Sequence, residues 1–240
     1  MDHSQEIRRL IFHSNAGATL LENGDYSGAL SYFRAALQTS KLLINEKSPQ
    51  SKNQVQNERL LHLDSFMING SVSRDSSNGN RLFYRHAIQV PEECSSIILN
   101  DTHSNAILSA IVIFNLALFH QRAAADNAQL NGAGCDPAGL LQKAIRLYES
   151  LFTLLQRGDI EDGSTLYMLH TLNNLGQAYE ALNEKEKSEQ CFRQVLSTVM
   201  CISTSDHDYL DGVNLSSLEC FFGSTSHLIF PHCTLAASAA

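Results

Sequence analysis

The chain has 240 residues, 43% of them hydrophobic, and a formal net charge of −8. That apolar fraction is ample for a packed core and excludes wholesale disorder, and the acidic balance excludes a phosphate-backbone binder, which needs a basic stripe. The six cysteines have no CxxC pair and no regular spacing, and most sit on apolar helical positions, which predicts free thiols, most of them buried, in a reducing cytosol or nucleus and not a disulfide framework.

The opening MDHSQEIRRLIFHS lacks the apolar run of a secretory leader. Residues 5–21 then predict a helix, with Ile7, Leu10, Ile11, Ala16, Leu20 and Leu21 on its apolar side. Gly24, Asp25 and Tyr26 make a turn, and Asp25 is placed to cap a second helix that runs to about residue 44. Ser48 and Pro49 end any helix. An insertion follows over residues 46–101. Within it, residues 60–68 and 81–90 carry apolar and aromatic side chains without helical period, around the loop SVSRDSSNGN. Two such runs predict a short antiparallel β-hairpin. An isolated hairpin is marginal in water, so it must dock on the helices.

Residues 102–125 predict a helix that is apolar on most of its circumference, through Ile107, Ile111, Phe114, Leu118 and Leu108, Val112, Leu116, Phe119. Such a helix is buried on both sides and belongs in the middle of a stack. Its longest apolar run, residues 106–119, is interrupted by Ser109 and Asn115 and is too short to span a bilayer. NAQLNGAGCDPAG reads as an extended turn, with Asp136 and Pro137 as cap and first helical residue of a partner helix over residues 140–156. Residues 158–163 connect to a last hairpin over residues 165–182 and 183–200. A C-terminal helix over about residues 206–230 would bring Leu215, Leu218, Phe221, Phe222 and Leu228 to the open end of the stack. A helical array needs such a cover because its last unit has no neighbour.

The clearest stretch is TLNNLGQAYEALNEKEKSEQCFRQVL, residues 171–196. Leu172, Leu175, Gly176, Tyr179 and Leu182 share one helical face, and Ser188, Phe192 and Val195 share another after a turn at Asn183 and Glu184. A helical glycine costs about 0.5–1 kcal/mol against alanine, so Gly176 marks a close approach of the partner helix. The N-terminal stretch repeats the design: Gly17 precedes Ala29 by 12 residues, as Gly176 precedes Ser188, and Ala29, Phe33 and Ala36 match Ser188, Phe192 and Val195. A middle copy is split, because Ala117 and Ala144 stand 27 residues apart, and Ala144, Tyr148 and Leu151 keep the spacing. These strings resemble the tetratricopeptide repeat, a helix–turn–helix unit of about 34 residues. The resemblance covers about 120 residues, although the chain has no tryptophan at all and lacks the family's closing proline. It implies one all-α domain over residues 1–240, a right-handed superhelix of three hairpins with a loop insertion and a capping helix.

Asn15, Asn115 and Asn174 recur in register, each two residues before the small residue of a first helix. The resemblance implies that the first helices line a concave face, where an asparagine bonds the backbone of an extended peptide. An amide side chain suits this, since it donates to a carbonyl and accepts from an N–H at once. Its competing role is to bond across helices and organise the stack. Asn173, Gln177, Gln121 and Arg122 are the neighbouring groove candidates. The lysine and arginine clamp that some members use for a C-terminal carboxylate is absent, because Ser14, Phe114 and Asn173 stand at one of its lysine positions.

No catalytic motif occurs. His227, His232 and Cys233 match no common zinc spacing, and Asp206, Asp208 and Asp211 fail the calcium-loop rule because Ser217 stands at the twelfth position. The expectation is a scaffold without cofactor, metal or enzymatic activity that binds a protein or peptide, and neither nucleic acid nor membrane. Self-association through the C-terminal cover is the alternative, and a helical enzyme or ligand sensor the remote one.

Overall fold

The structure is a computed structural model that describes residues 3–45, 84–91, 104–130, 136–156 and 165–204 and the single positions 221, 225 and 228. Its helices are α1 (His3–Glu22), α2 (Tyr26–Asn45), α3 (Ser104–Leu130), α4 (Pro137–Gln156), α5 (Thr165–Ala181) and α6 (Lys185–Thr204). Each packs on the next in chain order, and α1 also touches α3. The described residues are therefore all-α, built as sequential hairpins, with no strand among them.

The hairpin turns follow from local chemistry. After α1, the Asp25 amide donates to the Leu20 carbonyl and the Gly24 amide to Leu21, with Gly24 at φ +78°. After α5, the Glu184 amide donates to Tyr179 and the Asn183 amide to Glu180, with Asn183 at φ +62°. Both are the left-handed C-terminal motif that satisfies the last carbonyls of a helix, and Gly and Asn are the residues that tolerate it. Asp25 then caps α2, its carboxylate accepting from the Gly28 amide at 2.9 Å. Pro137 opens α4 and the Asp136 carbonyl accepts from Leu140, as the Asp-Pro pair suggested. One boundary differs: the expected extended turn after residue 125 is shorter, because α3 continues to Leu130.

The small residues sit where the helices close. A Cβ on Gly17 would lie 2.7 Å from the Phe33 ring, and one on Gly176 would lie 3.0 Å from the Phe192 ring. In the middle hairpin the matching aromatic is Tyr148, fully buried. Buried side chains surround α3 from Ile107 to Ala124. Its length and composition, over residues 105–126, do suffice to cross a bilayer, contrary to the reading of the shorter apolar run, but most of that stretch is buried inside the protein fold.

The expected β-hairpin is corrected in its second half. Residues 84–91 are extended, with a bend at His86, but their backbone finds side chains of the helices instead of a second strand. Residues 60–68 lie outside the described residues. At the C-terminal end, Phe221 is buried in one cluster with Leu166, Leu169, Leu172, Val195 and Val199 of the last hairpin. Leu228 is half-buried, and Leu215, Leu218 and Phe222 lie outside the described residues.

Candidate functional site

The register of the asparagines explains where they point. Gly17 and Gly176 face the second helix of their hairpin. Two residues earlier in a helix is a turn of about 200°, so Asn15 and Asn174 face away from that helix. Asn115 stands in the same relation to Ala117. The three amides thereby project onto one face shared by α1, α3 and α5, and residues 84–90 lie across it.

Each asparagine takes both backbone groups of one residue. Asn174 accepts from the Tyr84 amide and donates to its carbonyl, both at 3.0 Å. Asn115 accepts from the Ile88 amide at 2.7 Å and donates to its carbonyl at 2.8 Å. Asn15 accepts from the Val90 amide at 2.9 Å and donates to its carbonyl at 2.8 Å. The segment, here termed the strap, thus runs from the third hairpin to the first, opposite to the order of the hairpins. Two extended residues reach about 7 Å, roughly the spacing of packed helices, so Ile88 and Val90 meet neighbouring helices directly. Four residues separate Tyr84 from Ile88, and the bend at His86 takes up the surplus length.

Charged side chains satisfy the backbone at that bend. Glu22 accepts from the Ala87 amide at 2.7 Å, and Arg122 donates to the Arg85 carbonyl at 3.2 Å. Glu22 also pairs with Arg122 at 3.3 Å and with His86 at 3.4 Å. Gln89 donates to the Thr19 hydroxyl at 3.1 Å. Inward-facing Tyr84, Ile88 and Val90 are each no more than 2% exposed and belong to the main core. The Tyr84 ring lies 4.4 Å from His170 and 5.9 Å from Phe114, centroid to centroid. Burial, with the Glu22 carboxylate adding to it, pushes the Tyr84 phenol up to about 12. Burial pulls His170 down to about 3, so its imidazole is neutral at neutral pH.

A buried network presets one of the readers. The Tyr148 hydroxyl donates to Gln121 Oε1 at 2.9 Å and accepts from Asn174 Nδ2 at 3.2 Å. Its proton is committed to Gln121, so the Asn174 amide must turn its NH₂ toward Tyr148 and its oxygen toward the Tyr84 N–H. Gln121 also donates to the Asn174 carbonyl at 3.2 Å.

Of the side chains singled out from sequence, Asn15, Asn115, Asn174 and Arg122 meet at the strap. Gln121 stands behind it as a positioning group. Asn173 and Gln177 are buried on α5, and Asn174 on the same helix bonds the strap at Tyr84. Sequence reasoning missed Glu22, Thr19 and the strap. A signal was present, because Tyr84, His86, Ile88 and Val90 alternate with more polar or smaller neighbours at a period of two.

Other chemistry is sparse among the described residues. They hold no cluster of three or more metal-ligating side chains, and the histidine and aspartate groups weighed above lie outside them. Cys191 is buried and its thiol is pushed up to about 11, first by burial and then by Glu149, which suppresses the thiolate.

Comparison with protein families matches two stretches, residues 14–50 and residues 169–198, each to a tetratricopeptide repeat. They contain Asn15 and Asn174 with their paired small and aromatic residues. Comparisons with curated proteins and with solved structures give no match.

Proposed function

We propose that the chain, a tetratricopeptide repeat protein, is a non-catalytic scaffold for a protein partner whose peptide seat is the face bearing Asn15, Asn115 and Asn174. The observation that supports this is the ladder of paired bonds on residues 84–90. An amide that takes both the N–H and the C=O of one residue reads main chain and ignores the side chain. Six bonds at about 0.5–1.5 kcal/mol net each give roughly 3–9 kcal/mol, which reaches the roughly 8 kcal/mol of a micromolar complex only at the top of that range. The apolar seats of Tyr84, Ile88 and Val90 supply the remainder. The right-handed superhelical course of the stack and a reducing cytosolic or nuclear location belong to the same reading.

Self-association through the C-terminal cover is the weaker reading, because Phe221 is turned into the last hairpin and is 2% exposed. The test is capture of a partner from cell extract by the full chain, reconstitution of the pair from purified components, and mapping of the footprint by hydrogen exchange. Protection on α1, α3 and α5 is the expected result. A footprint confined to α2, α4 and α6 would move the interface off the ladder.

A further inference from the structure

We infer that the strap is an intramolecular ligand that keeps this seat closed, and that the seat opens to an extended partner peptide carrying the strap's own side-chain code. The inference rests on reading the ladder as a peptide seat. The code has an aromatic residue first, a histidine two residues on, and branched aliphatic residues four and six residues on, as in Tyr84, His86, Ile88 and Val90. The chain direction is that of the strap.

Every residue but proline offers the same N–H and C=O groups, so exchange of the strap for a partner without proline at the three ladder positions loses no ladder bond. Discrimination then falls to the side chains. The first seat is aromatic on two sides, with His170 and Phe114 around the Tyr84 ring. The second is set by Glu22, whose carboxylate faces His86 and is itself half-exposed. The aliphatic seats close completely over Ile88 and Val90, each 1% exposed. Gln89 is exposed, so its counterpart in a partner fills no enclosed pocket.

Tethering explains why the strap prevails at rest. A segment held by its own chain is present at an effective concentration of roughly millimolar. An untethered peptide of equal affinity at ~10 μM would therefore hold only about 1% of the seats. A partner succeeds by adding contacts beyond the seat or by fitting the code better than the strap does.

The experiment uses the full chain and a fluorescein-labelled peptide of sequence YRHAIQVP. The double variant Ile88→Asp, Val90→Asp should release the strap and bind the peptide at least tenfold more tightly than wild type. Replacing the peptide's tyrosine by alanine, or its isoleucine by aspartate, should weaken binding by tenfold or more. A scrambled peptide that binds equally well would overturn the code while leaving the main-chain seat standing. No binding of any peptide by a variant that circular dichroism shows to be folded would overturn both. If the variant is unfolded, hydrogen exchange on wild type decides. Faster exchange of the Ile88 and Val90 amides under millimolar peptide supports displacement, and unchanged protection overturns it. A mass that doubles with protein concentration in wild type would also overturn it, giving the seat to the strap of a second copy.

Discussion

Asn115 is fully buried, and its removal strands both backbone groups of Ile88 away from water. A buried group left without its partner costs about 1–3 kcal/mol. Asn115→Ala should therefore lower unfolding stability by roughly 2–4 kcal/mol in urea denaturation. Asn15 is only part-buried, so water can replace its amide, and Asn15→Ala should cost about 1 kcal/mol. Equal losses at the two sites would contradict the burial difference. The histidines set the response to acid. Burial pulls His170 down to about 3 and His120 to about 4, with Lys143 and Arg34 contributing at His120. Both values lie below the ordinary value of 6.5, so the unfolded chain takes up these protons first. The stabilisation is whole above pH 6.5 and is lost as pH falls toward those folded values. Urea midpoints should drop steeply between pH 6.5 and pH 4, and His170→Phe should flatten that slope.

At the scale of the helix, the hairpin closures carry the strongest constraint. Gly17→Ala drives a methyl group into the ring of Phe33, which is fully buried and cannot retreat. The expected loss is about 1–3 kcal/mol. Gly176→Ala meets Phe192 at a slightly longer distance and should cost less, whereas Gly176→Leu should reach that range. Thermal melts of the three variants check the order. These closures were legible in the sequence because a glycine and an aromatic at fixed separation have one physical use, a tight crossing. The caps at Asp25 and Asp136 were legible for the same reason. The strap was not. Its period of two announces extended backbone, but period alone does not say what pairs with that backbone, and a second strand was the commoner answer. The asparagines were legible as readers of main chain, yet nothing local showed that the chain read is their own, since Asn174 lies 90 residues from Tyr84. Glu22 escaped notice because a lone carboxylate at a helix end usually faces solvent.

For the whole molecule, the strap changes how the hairpins depend on one another. A stack of repeats holds together through nearest neighbours, and its units can unfold separately. Here one short segment bonds α5, α3 and α1 and so joins the third hairpin to the first. Wild type should unfold in urea as one transition with coincident fluorescence and circular dichroism. Ile88→Asp with Val90→Asp should separate the two signals or lower the denaturant slope, because the hairpins are then released from common control. Coincident transitions of unchanged slope in that variant would show that helix packing alone couples the stack.

The opposed direction of the strap also has a mechanical consequence. A helical stack under tension lengthens as a spring does, each hairpin tilting a little from the next. Between Ile88 and Val90 the strap is already extended and cannot share the tilt of the first hairpin against the middle one, whereas the bend at His86 leaves surplus length toward the third. Tension should therefore separate the first two hairpins less readily while the strap is attached than after it detaches. A partner that displaced the strap would change the elasticity of the scaffold as well as fill its groove.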